Sequence, residues 1–139
     1  LAAHIQTLSS TFLVAEKDGK ILGYLEGPVR PERYLKDISF TEEIEDYGHL
    51  DGGFISLTSL SISKDAQGMG VGRKLLEAMK EIAIADERHG INLTCHDYLT
   101  AYYEKHDFVN EGLSKSTYAG AAWFDMVWEN PSLKLQKNQ

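Results

Sequence analysis

The sequence predicts a mixed α/β (α+β) domain, and three stretches predict it. Two apolar runs meet at Asp18-Gly19, a strand passes through a glycine-rich turn into an amphipathic helix between Ser61 and Gly72, and two more strand-like runs close the chain. Hairpins joined to a helix that follows a strand give a mixed class. The 139 residues are enough for one domain with a real core, placed at residues 1–130, with 131–139 as a tail that carries no core pattern.

Taken in order, Leu1, Ile5 and Leu8 fall at helical spacing, so the opening segment is expected to be the end of a helix closed by Ser9 and Ser10. The chain starts without a methionine, and residues are expected to precede Leu1. Thr11–Lys17 and Lys20–Gly27 then read as two antiparallel strands, because Asp18-Gly19 between them suits a tight hairpin turn. Pro28 and Pro31 end the second strand. The stretch that follows carries Glu32, Asp37, Glu42, Glu43, Glu45, Asp46 and Asp51 against Arg33 and Lys36, and reads either as a binding loop or as solvated surface.

Between Phe54 and Ile62 the apolar phase changes: Ile55 and Leu57 stand on odd positions, Leu60 and Ile62 on even ones, with Thr58 and Ser59 at the switch. A β-bulge there would twist the strand and free backbone groups for a ligand. From Val71 a helix is predicted with Val71, Leu75, Ala78, Met79 and Ile82 inward and Arg73, Lys74, Glu77, Lys80 and Glu81 in water. Arg88 and His89 are expected in its last turn, with Gly90 closing it. Ile91–Cys95 reads as a buried strand and Leu99–Lys105 as a short helix. Phe108–Gly112 and Ala121–Trp128 read as a final antiparallel pair linked through Ser114–Gly120.

A net charge of −7 argues against nucleic acid and anionic membrane surfaces as partners and favours a cationic substrate. Cys95 is the single cysteine, which excludes an internal disulfide and suits a reducing cytoplasm. No apolar run approaches a membrane span, no signal segment opens the chain, and the five histidines are too scattered to predict a metal site.

The glycine-rich turn has the spacing Gln67-x-x-Gly70-x-Gly72, with Gly68 as an extra glycine. Glycines let a ligand lie against backbone amides, and the helix behind them offers unpaired N–H groups and a positive dipole end to a phosphate. A P-loop is excluded because Arg73 and Lys74 follow where Lys-Ser/Thr is needed; the dinucleotide fingerprint is excluded by spacing. The pattern resembles instead the acyl-CoA pyrophosphate loop of the GNAT superfamily of acetyltransferases. A second signature of that superfamily is resembled between Cys95 and Phe108, where Ala101, Tyr102, Tyr103, Glu104, Lys105 and Phe108 match in order and Asp107 replaces the usual glycine. The run Cys95-His96-Asp97 with Ala101-Tyr102-Tyr103 is similar to the aralkylamine (serotonin) N-acetyltransferases.

The resemblance implies a GNAT fold: a mixed, mostly antiparallel sheet splayed around an acetyl-CoA cleft, with helices on both faces. The family's first strand and helix have no expected counterpart in this chain. It implies that the backbone of Leu60, Ser61 and Ile62 holds the pantetheine arm, and that Gln67, Gly68, Met69, Gly70, Val71, Gly72 and Arg73 hold the pyrophosphate. The Leu60 amide is the implied oxyanion donor and Tyr103 the implied acid beside the thiolate, with Tyr102 as packing.

The histidine pair of the aralkylamine enzymes is replaced by Ser56 and Thr58, neither of them a base. That replacement points to water-mediated deprotonation or to another residue, with Glu26, His49 and Asp51 as candidates and His96 read equally as a surface residue at a strand end. Cys95 is either a nucleophile for a ping-pong route or an inert packed thiol, the latter preferred. Tyr24, Tyr34, Tyr47, Tyr118, Trp123 and Phe124 could line a pocket for an apolar amine.

The expected activity is direct acetyl transfer from acetyl-CoA to the primary amine of a small molecule, an arylalkylamine or polyamine. Aminoglycosides and protein N-termini are alternative acceptors, and an acyl-CoA-binding module without catalysis is the alternative of another class. A homodimer through the terminal strands with Trp123 and Trp128 stays open.

Overall fold

In the computed structural model, which describes residues 3–34, 45–115 and 122–133, the strands form two sheets. The first is antiparallel throughout, in the order β1 (His4–Ser9), β2 (Phe12–Lys17), β3 (Lys20–Glu26), β6 (Ser59–Ile62). The second runs β4 (Val29–Arg30), β5 (Phe54–Ser56), β7 (Gly90–Cys95), β9 (Phe124–Glu129), β8 (Val109–Leu113), and its β5–β7 pair is parallel. β5 and β6 are consecutive in the chain yet belong to different sheets. The passage between them is where the site is built.

The hairpin forms as the sequence predicts, with Asp18 (φ 53°) and Gly19 (φ 77°) both left-handed, as a type I′ turn requires. The opening segment does not. Residues 4–9 pair antiparallel with β2 as an edge strand, Ile5 facing Ala15, and Leu8 is 59% exposed. The helical spacing of three apolar residues is outweighed by a ladder of long-range hydrogen bonds that no local pattern announces.

The long helix α1 (Val71–Ala85) buries Val71, Leu75, Leu76, Met79 and Ala83 against both sheets. Each large apolar side chain so buried stabilises the fold by about 1.5–3 kcal/mol before entropy is subtracted. The helix stops earlier than the sequence predicts. Asp86 caps it and Glu87 takes the left-handed turn (φ 56°), so Arg88 and His89 lie beyond the last turn and Gly90 begins β7. Arg88 is buried instead, its guanidinium donating to the carbonyls of Leu50 (2.6 Å), Gly48 (2.9 Å) and Gly52 (3.0 Å). Lys80, expected in water, packs inward and donates to the carbonyl of His106.

The short helix α2 (Thr100–Lys105) follows a 3₁₀ turn at Asp97–Leu99. Asp107 sits at φ 70°, the left-handed conformation that glycine would supply; aspartate is among the few other residues that tolerate it. The closing strands pair as predicted, with β9 inserted between β7 and β8. Among the described residues no helix is long and apolar enough to cross a membrane. Asp37, Glu42, Glu43, Tyr118 and the tail from residue 134 lie outside the described residues.

Candidate active site

One register pair and two hydrogen bonds around the β5–β6 passage define the opening between the sheets. Ser56 is the last register partner of β7, facing Asn92, and the Leu57 amide makes one more bond to the Asn92 carbonyl. Thr58 then donates to the carbonyl of Glu26, whose register partner is Ser59, so two residues face one. This is the β-bulge expected at Thr58 and Ser59, and beyond it β6 follows β3 while β7 follows β9. The strands diverge and leave a cleft.

The phase of the β3–β6 ladder decides which backbone groups face that cleft. Ser63 donates to the Leu22 carbonyl, so the pairs facing each other alternate from there between bonded and non-bonded. Leu60 and Ile62 fall on non-bonded positions and turn their amides and carbonyls away from β3, and among the described residues β6 has no strand on its other side. Ser61 falls on a bonded position opposite Tyr24. Its backbone is engaged by β3, which corrects its expected part in holding the pantetheine arm.

Past β6 the chain makes a 3₁₀ turn (Lys64–Ala66) and the glycine loop, where Gly68 and Gly70 both stand at φ 80°. A β-carbon on either would meet no atom within 4 Å, so the space beside them is open to a ligand. Gly70 is the N-cap of α1 and supplies no side-chain cap, and the first turn of α1 carries no acidic residue. The helix therefore presents bare N–H groups and its positive end.

A cavity of about 750 Å³ unites these parts. Leu60, Ile62, Gln67, Gly68, Gly70, Val71, Gly72 and Arg73 line one side and Tyr103 the other, so the two sequence signatures meet across it. Met69 is not on its wall; its side chain is 44% exposed. Leu99, Tyr102, Lys105 and His106, not singled out as site residues by the sequence, line it as well. The Tyr102 hydroxyl lies where a β-carbon on Gly72 would stand, so Tyr102 is part of the cleft wall and Gly72 is required by close approach.

Tyr103 is 8% exposed, its ring edge-on to Tyr102 at 5.2 Å and to Phe108 at 5.7 Å. Burial pushes its phenol well above the ordinary tyrosine range, with Cys95 and Tyr102 adding to it. It is neutral and a donor at any physiological pH. Burial also lowers the proton affinity of His106, helped by Lys80, Lys105 and Arg73, so this imidazole is neutral in a cationic setting that suits phosphate. Cys95 is 4% exposed and burial, with Asp97, pushes its thiol up to about 11, so it is no nucleophile.

The three sequence candidates for the base separate in space. His49 and Asp51 line another cavity, of about 490 Å³, together with Asp86 and Arg88. That cavity is at the C-terminal end of α1, and 15 helical residues put it about 22 Å from the glycine loop. Neither residue is brought to the cleft. Glu26 and Thr58 stay together at the bulge, lining a cavity of about 300 Å³ with Asp46, Ser9 and Thr11. Ser56 is buried, its Oγ without a partner among the described residues. Of the described aromatics, Tyr24 packs on Phe12 and Trp123 stacks on His96 at 4.2 Å. Among the described residues no cluster of His, Cys, Asp or Glu could hold a metal.

A family model described as an acetyltransferase (GNAT) domain matches residues 9–110. The chain belongs to the GNAT acetyltransferase family. The domain is thus an acetyl-CoA-dependent N-acetyltransferase, and the cleft fits that cosubstrate: open backbone on β6, left-handed glycines and an uncapped helix end.

Solved structures share the GNAT fold at low identity. Ard1 from Thermoplasma volcanium is 15% identical with a TM-score of 0.63, over 86% of this chain and 70% of that one. Naa20 from Chaetomium thermophilum, solved with a bisubstrate analogue, is 22% identical with a TM-score of 0.65, over 88% and 67%. A Bacillus anthracis structure in complex with acetyl coenzyme A, assigned as a streptothricin acetyltransferase, is 16% identical with a TM-score of 0.63, over 88% and 65%. No curated protein sequence matches the chain. The finer resemblance to aralkylamine enzymes finds no support in these comparisons.

Proposed function

We propose that this GNAT domain transfers acetyl from acetyl-CoA directly to the primary amine of a small molecule, an arylalkylamine or a polyamine, in a ternary complex. The observation that carries the reading is the cleft itself, with unpaired β6 backbone at Leu60 and Ile62 on one wall and the buried phenol of Tyr103 on another. The Leu60 amide hydrogen-bonds the thioester oxygen as it becomes an oxyanion. The amine nitrogen bonds the carbonyl carbon, the C–S bond breaks, and its electron pair leaves on sulfur.

Tyr103 donates a hydrogen bond to that sulfur. A phenol raised well above 10 holds its proton more tightly than a thiol near 8.5, so Tyr103 acts as a donor more than as a complete proton source. The buried, protonated Cys95 favours direct transfer over an acyl-cysteine intermediate. The acceptor preference rests on the net charge of −7 and on Glu26 and Asp46 at the small cavity beside the bulge.

Thiol release from acetyl-CoA would be followed with 2-phenylethylamine, spermidine, an aminoglycoside and a peptide with a free N-terminus. Turnover of phenylethylamine or spermidine is expected. Turnover confined to the peptide or the aminoglycoside would overturn the acceptor class. Tight acetyl-CoA binding without thiol release on any of them would favour a binding module, the reading supported by Ser56 and Thr58 standing where a histidine pair would serve as base.

A further inference from the structure

The proposed transfer needs a neutral amine, and the face of the second sheet turned away from α1 holds the groups to make one. Ile55, Ile91, Leu93 and Met126 point into the core with α1, so their alternate neighbours Ser56, Asn92, Thr94 and Asp125 share the opposite face. Ser56 faces Asn92 in register across β5–β7, and Thr94 faces Asp125 across β7–β9. Among the described residues, each of the four carries a buried oxygen with no hydrogen-bond partner: Ser56 Oγ, Asn92 Oδ1, Thr94 Oγ1 and Asp125 Oδ1. Buried polar atoms are nearly always paired, so four orphans in one row call for a ligand.

The row also says which ligand. Asn92 Oδ1 and Asp125 Oδ1 only accept, because the Asn92 amide nitrogen already donates to the carbonyls of Glu32 and Arg33. Serine and threonine hydroxyls adapt to either role. What completes such a row is a head rich in N–H donors. Thr94 and Asp125 face each other yet make no bond to each other, so each keeps an oxygen for a third polar atom. On the parallel β5–β7 pair Thr94 is two residues past the last paired position, at the level of the bulge where β6 departs, on the strand that borders the opening between the sheets.

We propose, resting on the acetyltransfer reading, that the protonated primary amine is received between Thr94 and Asp125, and that Asp125 is the proton acceptor of the reaction. The ammonium gives one proton to the carboxylate, directly or through the Thr94 hydroxyl, which takes a proton from nitrogen as it passes its own on. The nitrogen lone pair then bonds the thioester carbon. As the C–S bond breaks, the second amine proton leaves nitrogen and ends on the thiolate at Tyr103, and the proton on Asp125 returns to water.

Asp125 is suited to the task. It is 7% exposed, and burial, with Glu111, raises its proton affinity above that of an ordinary carboxylate, against the bond from Ser114. That narrows the gap to an alkylammonium near 10.4. The groups around it are Thr94 on β7, and Glu111 on β8 with Ser114 just beyond; Glu111 is itself held by Arg33 and Tyr34. Glu26, the remaining sequence candidate, lies on the first sheet at the small cavity beside the bulge and is the rival base that the test compares.

The test compares Asp125→Asn, Thr94→Val, Thr94→Ser and Glu26→Gln with the wild type, using 2-phenylethylamine and spermidine. Asp125→Asn is expected to lower kcat/KM about a hundredfold or more and to flatten the acid limb of its pH profile, leaving acetyl-CoA affinity unchanged by calorimetry. Thr94→Val should lose about tenfold and Thr94→Ser should restore it. An independent readout on the wild type is the ¹³C-carboxyl signal of Asp125, assigned by its absence in Asp125→Asn, which should shift on adding either amine to the CoA complex. Wild-type rates in Asp125→Asn, an acid limb lost in Glu26→Gln instead, or an Asp125 signal indifferent to both amines would overturn the assignment. Failure of the wild type to bind acetyl-CoA would overturn the underlying reading instead.

Discussion

Replacing Tyr103 by phenylalanine removes one oxygen and leaves the packing in place. The ring contacts with Tyr102 and Phe108, at 5.2 and 5.7 Å, need no hydroxyl, so the fold is expected to keep its melting temperature within a few degrees. What is lost is a hydrogen bond to a sulfur that becomes charged only as the C–S bond breaks. Hydrogen bonds to charged groups contribute about 1.5–3 kcal/mol, so turnover should fall roughly 10- to 150-fold.

Because the bond strengthens in the transition state, the loss belongs in kcat, with acetyl-CoA affinity unchanged. Burial keeps the phenol protonated, so the wild type should show no alkaline loss of kcat from Tyr103 below pH 10. Steady-state thiol release across pH, beside a calorimetric titration, separates the terms. An unaltered kcat in Tyr103→Phe, or a loss lying wholly in acetyl-CoA affinity, would refute this role.

Gly70→Val forces a β-branched residue to φ 80°, at a strain of about 1–3 kcal/mol, and fills space that the ligand needs. It should abolish acetyl-CoA binding while circular dichroism still reports a folded domain; normal affinity would discredit the loop. Cys95 should resist alkylation at pH 7.5 until the protein is unfolded. Its folded pKa is raised from 9.0 to about 11, so the native state holds the proton more tightly and the stability it contributes is present below pH 9 and lost as pH rises to 11. Urea midpoints measured over that window should fall, and less so in Cys95→Ala; equal slopes in the two proteins would contradict the shift. Arg88→Ala leaves the carbonyls of Gly48, Leu50 and Gly52 without their donor and should cost about 3 kcal/mol, a drop of roughly 10 °C in Tm. Acetyl-CoA affinity should hold, and its loss would show that this end of α1 is coupled to the cleft.

What could be read from the sequence was governed by local rules. The hairpin follows from Asp18-Gly19, the glycine loop from its spacing, and α1 from its apolar face. The bulge at Thr58 and Ser59 shows as a change of phase. What could not be read depended on partners distant in the chain. β1 exists because β2 offers it a ladder, and α1 ends at Asp86 because Glu87 turns left-handed while Arg88 is drawn to three loop carbonyls. His49 and Asp51 were plausible bases until folding carried them to the far end of α1. Asp125 was hidden inside a run that reads as a core strand. Its signal is the alternation of Asn92 and Thr94 with apolar neighbours along β7.

The central claim is that the β6 edge and the glycine loop hold acetyl-CoA. A calorimetric titration of the wild-type protein with acetyl-CoA, beside Gly70→Val, tests it most directly. One-to-one binding by the wild type, lost in the folded variant, is the predicted result. No binding by the wild type, or equal binding by both, would contradict it.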